Sequence, residues 1–179
     1  DGRLSTRLAA FYSEKYNERN RDTDTAVVQY LLSGKRHAAG LEVDVAGRIG
    51  AAWEIFASYA WIPVAKVDEA TSAATEVEGS RPGLTPRQTG SLWTTYRVTP
   101  KLRLGAGLTA SGQQSPVGST AVAPGYVIGD VMAEYDLGEV FFKLNVTNVG
   151  DKLYGASLYR GHVVLGAPRT TQLTVGARF

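Results

Sequence analysis

Residues 172–179 read Gln-Leu-Thr-Val-Gly-Ala-Arg-Phe, and apolar side chains occupy every odd position of this stretch except the small Ala177. A period of two is the pattern of a β-strand with one apolar and one polar face, because successive side chains point to opposite faces of a sheet. The same alternation is clear in the segments 53–61, 102–110 and 140–146, and weaker in 4–12, 41–45, 92–98 and 127–137. The sequence therefore predicts an all-β fold of about eight strands.

The connections between these segments alternate in length. Thr99–Pro100, Gly138 and residues 48–52 are short turns, whereas long polar connections cover 16–27, 63–84, 112–125 and 150–167. Short turns on one side and long loops on the other are typical of an antiparallel transmembrane β-barrel in an outer membrane. The pattern therefore predicts that architecture and an outer-membrane location.

Composition excludes several classes of function. The chain has 179 residues, no cysteine, and 19 basic against 17 acidic residues. Disulfides, thiolate metal sites and thiol catalysis are therefore absent, and the balanced charge argues against nucleic acid as a partner. No run of 18 apolar residues predicts a membrane-spanning helix. The sequence shows no catalytic Ser/His/Asp arrangement and no paired catalytic carboxylates, so we expect no enzyme.

The two faces of the strands favour a membrane over water as the surroundings. Bulky charges occupy the middle of the polar face, and aromatic side chains lie near strand ends, as in the girdles of membrane barrels. These rings belong to Tyr12, Trp53, Tyr59, Trp61, Tyr96, Tyr135 and Phe179. Two alternatives stay open: a free-standing eight-stranded barrel with a structural or small enzymatic role, and a soluble β-sandwich that binds a ligand. The many small inward residues favour an arc of a wide barrel over a narrow closed one.

Several segments resemble motifs of the TonB-dependent siderophore receptors. Residues 145–154 read NVTNVGDKLY, and residues 166–170, GAPRT, lead into a last strand that ends in Phe179. Further segments match in the same order as in the family, at 1–12, 33–44, 56–60 and 86–96. The likeness is greatest to receptors for hydroxamate-type and related ferric chelates.

The resemblance implies a specific place for this chain. Residues 1–179 would supply the C-terminal portion of a 22-stranded barrel, about its last eight strands, in the outer membrane of a Gram-negative bacterium. The plug domain, the region that contacts TonB and the first strands would lie outside the chain. The implied ligand is a ferric siderophore, which carries its own iron, so we expect no cofactor and no metal site.

Candidate ligand-binding residues lie in the last long loop: Tyr154, Tyr159, Arg160 and His162. Aromatic and cationic side chains can contact a ferric chelate by stacking and by charge-assisted hydrogen bonds. The alternative is ordinary loop packing, or contact with lipopolysaccharide phosphates. Relatives carry a cysteine pair in this loop that residues 158–163 lack.

Other residues have separate expectations. Phe179 resembles the terminal aromatic residue read by the outer-membrane assembly machinery. The acidic residues Asp68, Glu69, Glu76 and Glu78 are expected in a solvated loop rather than in a calcium site. The inward charges either bind the plug or line a hydrated wall: Glu42, Arg97, Arg103 and Lys143.

Overall fold

The computed structural model describes residues 4–23, 25–72, 74–159 and 162–179, and within these ranges it contains ten β-strands. They are β1 (Leu4–Arg21), β2 (Tyr30–Ile49), β3 (Trp53–Glu69), β4 (Gln88–Arg97), β5 (Leu102–Ser111), β6 (Tyr126–Asp136), β7 (Val140–Thr147), β8 (Gly155–Tyr159), β9 (His162–Leu165) and β10 (Thr170–Ala177). None of the described residues belongs to a helix long and apolar enough to cross a membrane.

Eight of these strands form one antiparallel sheet in the order β1-β2-β3-β4-β5-β6-β7-β10. The predicted number of strands is confirmed for this sheet. The hairpin β8–β9 forms a separate two-stranded sheet inside the last long connection. The long connection predicted over 150–167 therefore contains two strands that the sequence did not predict.

Strands β1, β2 and β3 are much longer than the others. They contain 18, 20 and 17 residues, whereas β4–β7 contain 8–11. The predicted strand 41–45 is the middle of β2, and the predicted loops 16–27 and 63–84 begin inside β1 and β3. These predictions were wrong because the outer parts of the long strands mix polar and apolar residues without a regular alternation, which removes the period-two signal.

The long strands extend beyond the rest of the sheet on one side only. The short turns 50–52, 98–101 and 137–139 lie together at the opposite edge. A tilted strand needs roughly ten residues to cross a bilayer. We call the first ten or so residues of each strand, counted from the short turns, the wall. We call residues 14–39, 63–87, 112–125 and 148–169 the rim.

The wall has an apolar outer face and almost no core. Leu41 pairs with Trp61 on this face, and Leu108 lies there with half of its surface exposed. Among the described residues only four hydrophobic side chains are buried: Val67, Ala123, Met132 and Leu158. No second sheet packs against the wall in the part of the chain that is described, so a β-sandwich is excluded. An apolar surface of this extent requires lipid or another apolar partner.

The two ends of the sheet do not meet. β1 pairs with β2 alone and β10 pairs with β7 alone among the described strands. A closed eight-stranded barrel would require β1 to pair with β10. The sheet is therefore an open arc, and the alternative of a free-standing small barrel is wrong for this structure.

Aromatic rings cover glycines on the inner face of the wall. A Cβ atom on Gly107 would lie 2.5 Å from the Trp93 ring, and Phe141 covers Gly176 in the same way at the last strand pair. The rings lie flat along the wall because glycine leaves room for them. The large rings therefore fill the space above the glycines, and the inner surface of the wall is more even there than the difference in residue size suggests.

Candidate functional site

The last long connection is anchored by a buried asparagine in the rim. The side-chain Nδ2 of Asn148 donates to the carbonyls of Lys152 and Ala167 at 2.9 and 3.0 Å, and its Oδ1 accepts from Lys152 N at 2.9 Å. Only 2% of Asn148 is exposed. Its φ of 49° lies in the left-handed region, which asparagine adopts more readily than most residues. Asn148 therefore closes the loop across its base.

Two aspartates complete this anchor. Asp130 of β6 accepts the backbone N–H of Asn148 at 2.8 Å, and Asp151 accepts the backbone N–H of Arg169 at 2.8 Å. These bonds join the end of β7 to β6 and to the start of β10. Hydrogen bonds therefore join the motif residues 148–151 to 166–170, although a long stretch of sequence separates them.

Tyr154 contributes to the same packing. Its ring lies 4.5 Å from that of Tyr126, centroid to centroid, and a Cβ on Gly166 would fall within the Tyr154 ring. Tyr154 is half-buried at the base of the loop. Its surroundings favour ordinary packing, which was the alternative considered for this residue.

Tyr159 and His162 lie at the other end of the loop. They pair with each other at the tip of the β8–β9 hairpin, and both are exposed. The tip lies about 13 Å from the hairpin base, at roughly 3.3 Å per strand residue. Arg160 lies outside the described residues. The structure therefore brings Tyr159 and His162 together but separates both from Tyr154.

A network of ion pairs occupies the inner side of the rim. Arg36 donates to Glu18 at 2.6 Å and to Glu76 at 2.8 Å, and Lys15 lies 2.7 Å from Glu18. Burial alone would raise the pKa of Glu18, but the hydrogen bonds from Lys15 and Arg36 outweigh it and hold that pKa below its ordinary value. The charges of two cations and two carboxylates cancel, so the network has no net charge. Its contacts join β1, β2 and loop 70–87.

A second group of polar residues lies on the outer side of the same strands. Lys35 contacts Glu14 at 2.7 Å, and His37 Nδ1 contacts Asp68 at 2.6 Å. The hydrogen bond from Lys35 lowers the pKa of Glu14. Alternate residues of β1 and β2 thus supply the inner and outer groups, which lie just beyond the apolar band.

The acidic residues of the second long loop do not form a metal site. Asp68 contacts His37, whereas Glu76 accepts from Arg36 and from the backbone N–H of Gly83. Among the described residues no group of three potential ligands converges. Asp68 and Glu69 lie in β3, so the prediction of a loop was wrong for these two residues; the absence of calcium stays a prediction.

One of the four inward charges of the wall has an ion-pair partner among the described residues. Arg103 lies 3.3 Å from Glu134 on the neighbouring strand, and Lys143 pairs in register with the same Glu134. Glu42 shares an inner-face groove with Arg7 and Asp44, which contact each other at 3.1 Å. Arg97 lies beside Arg103 in the register of β4 and β5. Binding of any of these residues to a plug stays a prediction.

Sequence reasoning missed a pair of arginines in the rim. Arg81 donates to the carbonyls of Ile62, Pro63, Thr85 and Pro86, and Arg87 also donates to Pro63. Both line a cleft of about 440 Å³ between loops 70–87 and 112–125. Arg87 lies in the segment 86–96 that resembles the family, whereas the only local signal for Arg81 was the absence of acidic residues from positions 79–101.

The chain matches a family of known sequences over most of its length. The profile of the TonB dependent receptor-like β-barrel matches residues 1–149. The catecholate siderophore receptor Fiu of Escherichia coli K12 is 32% identical over 189 aligned residues, which cover all of this chain and 24% of Fiu. The ferrioxamine receptor of Yersinia enterocolitica is 31% identical over 99% of this chain and 26% of its own length.

Solved structures agree with these sequence matches. The closed form of Fiu superimposes with a TM-score of 0.85 at 30% identity, covering all of this chain and 26% of Fiu. The siderophore receptor PiuA of Acinetobacter baumannii also gives 0.85, at 29% identity over 97% of this chain and 26% of PiuA. The chain thus spans about a quarter of the length of the relatives that it matches.

Proposed function

The chain belongs to the TonB-dependent receptor family, and from this premise we propose that it forms the C-terminal part of an outer-membrane receptor for ferric siderophores. The observation that carries the proposal is the open arc of eight strands, which matches a ferric-catecholate import receptor with a TM-score of 0.85. The relatives are receptors by name and not enzymes.

The wall would separate lipid from the barrel interior. Its apolar outer face suits the hydrocarbon of the outer membrane, and its polar inner face suits a hydrated or plug-filled interior. The unpaired edges of β1 and β10 would pair with further strands of the same receptor, which would complete the barrel. Lipopolysaccharide would surround the outer side of the rim, where the groups around Lys35 and His37 lie.

The rim would receive the ligand, and energy from TonB would release it inward. We propose that TonB acts on a region of the receptor N-terminal to this chain. The iron enters within its siderophore, so the wall and rim need no metal ligand of their own. The anchored last loop would hold Tyr159 and His162 at the tip of a hairpin, where they can meet an incoming chelate.

Phe179 would serve assembly rather than ligand binding. It follows the last strand, which ends at Ala177, and its side chain is fully exposed. An exposed aromatic ring directly after β10 would be available to the machinery that inserts barrels into the outer membrane. Deletion of Phe179 should lower the amount of folded receptor in the outer membrane while leaving synthesis unchanged, and normal insertion would contradict this role.

The test of the function is uptake of iron. The complete gene that encodes this chain should be expressed in a strain that lacks its own ferric siderophore receptors. We expect uptake of radioactive iron from a ferric catecholate or from ferrioxamine, and loss of that uptake when TonB is deleted. Uptake of neither chelate, or equal uptake without TonB, would contradict the proposal.

A further inference from the structure

Arg81 and Arg87 are two cations of the rim with no carboxylate partner in the part of the chain that the structure describes. Arg81 and Arg87 both donate to the carbonyl oxygen of Pro63, at 3.4 and 3.5 Å, so their Nη1 atoms lie within about 7 Å of each other. No ion pair within the described ranges involves either residue. Two like charges at this distance repel each other, and an anion placed between them would relieve that repulsion.

The position of Arg81 is fixed by the backbone. Its guanidinium donates to Thr85 at 2.7 Å and to Ile62 at 2.6 Å, in addition to longer contacts with Pro63 and Pro86. Carbonyl oxygens hold the group in place without cancelling its charge. Burial, followed by the charge of Arg87, lowers the pKa of Arg81, as expected for a cation that lacks a counterion.

The cleft beside these arginines is lined by further hydrogen-bonding groups. Gln88, Gln113, Gln114 and Ser115 contribute to its walls, and no aspartate or glutamate does. The backbone N–H of Leu84 donates to Ser115 at 2.9 Å, which joins the two loops that form the cleft. Glu76 of loop 70–87 is paired with Arg36. The cleft is therefore preformed and positively charged.

We propose that this cleft is a subsite for a negatively charged ferric chelate, whose catecholate or carboxylate oxygens accept hydrogen bonds from Arg81, Arg87 and the neighbouring glutamines. The inference rests on the proposed function and narrows its substrate to chelates with net negative charge. Arg87 is the exposed member of the pair and reaches the ligand first, whereas Arg81 provides a fixed charge at the floor. Charge-assisted hydrogen bonds to oxyanions are about twice as strong as neutral ones.

The experiment compares two chelates of different charge on the purified complete receptor. The probes are the anionic ferric tris-catecholate of 2,3-dihydroxybenzoic acid and the neutral ferric tris-acetohydroxamate. Arg87→Gln is the test variant, because Arg87 makes a single long contact and its loss should not disturb the loop. Arg19→Gln is the matched control, since it removes the same charge from the rim outside the cleft.

We expect Arg87→Gln to weaken binding of the anionic chelate about tenfold, equivalent to about 1.4 kcal/mol, and to reduce the salt dependence of that binding. Binding of the neutral chelate should change less than twofold, and Arg19→Gln should behave as the unaltered receptor. Unchanged binding of both chelates by Arg87→Gln would overturn the subsite but leave the receptor function standing.

Two further outcomes also decide the matter. If the unaltered receptor binds neither chelate, the proposed function fails and the subsite fails with it. If Arg87→Gln binds the anionic chelate normally but loses lipopolysaccharide that co-purifies with the receptor, the arginines serve lipid phosphates and the proposal is wrong.

Discussion

The outer parts of β1–β3 continue the sheet of the wall into the rim, yet different forces stabilise the wall and the rim. In the wall, side chains alternate between an apolar outer face and a polar inner face, and almost nothing is buried within the chain. In the rim, polar groups occupy both faces of β1 and β2, and ion pairs or backbone contacts of Arg36, Arg81 and Asn148 join neighbouring segments. The wall therefore depends on its surroundings, whereas the rim is held by contacts within the chain.

This difference predicts which substitutions matter in each region. A charge should be costly on the outer face of the wall because lipid cannot solvate it. The same charge should be tolerated on the inner face, one residue away. In the rim, loss of a single polar side chain should be costly where that side chain bridges segments, and nearly neutral where it does not.

The largest expected effect separates the two faces of the wall. Leu108→Arg places a cation on the outer face of β5 and should destabilise the inserted receptor by about 2–4 kcal/mol. Thr109→Arg makes a similar change on the inner face and should cost much less. Urea unfolding of the receptor from phospholipid vesicles measures both values. Equal losses would mean that the two faces meet the same environment.

The second prediction concerns the anchor of the last loop. Asn148→Ala removes three hydrogen bonds from a nearly fully buried site and places alanine at a positive φ, so we expect a loss of about 2 kcal/mol. Cleavage of loop 150–167 by an added protease should accelerate correspondingly. Asn145→Ala on the inner wall is the control, and equal cleavage of the two variants would argue against an anchoring role for Asn148.

A smaller effect is expected in the ion-pair network of the rim. Arg36→Met leaves Glu18 and Glu76 without their shared cation, and we expect a loss of about 1 kcal/mol, because the pairs are only partly buried. Arg48→Met breaks a more exposed pair at a short turn and should change stability by a few tenths of that amount. Thermal unfolding of both variants in detergent compares the two losses of stability. A larger loss for Arg48→Met than for Arg36→Met would contradict a stabilising role for the ion-pair network of the rim.

The smallest effect is a dependence on pH. The folded-state pKa of Glu18 is below its ordinary value, so the stability that this carboxylate contributes is present above the unfolded pKa of about 4.3 and is lost as pH falls through the lower, folded value. Protease access to loop 22–29 should therefore increase below about pH 4 in the unaltered receptor. Protease access in Glu18→Gln should depend less on pH. If access depends on pH equally in this variant and in the unaltered receptor, Glu18 is not the group responsible.

The same division explains what could be predicted from the sequence. Strands of the wall were found because one apolar and one polar face impose a period of two, as at Leu104, Leu108 and Leu144. The outer parts of β1–β3 were missed because they lack this alternation. Residues such as Glu14 and Lys15 carry no periodic hydrophobic signal, so their strand structure follows only from pairing with distant residues.

The candidate site was predictable in its motifs but not in its contacts. The segment around Asn148 and the one around Arg169 were singled out by resemblance, yet their mutual hydrogen bonds required the folded chain. Tyr154 was a candidate for ligand contact with loop packing as the alternative, and its packing on Tyr126 was visible only in the folded chain. Arg81 is held by hydrogen bonds to the carbonyls of Ile62 and Pro63, which lie about twenty residues away in the sequence. Nothing in the local sequence indicates these hydrogen bonds.

The most direct test of the central claim is the environment of alternate residues along the wall. The 179-residue chain contains no cysteine, so single cysteines for spin labels can be introduced without background from it. The labelled pairs would be Leu104 with Arg103, Leu108 with Thr109, and Leu144 with Lys143, in the complete receptor in lipid. Labels at the three leucines should be relaxed by oxygen dissolved in lipid and not by a water-soluble nickel chelate, while their neighbours should lack the lipid signal. Leucine positions shielded from both reagents, or reached by the nickel chelate, would contradict a membrane-spanning wall.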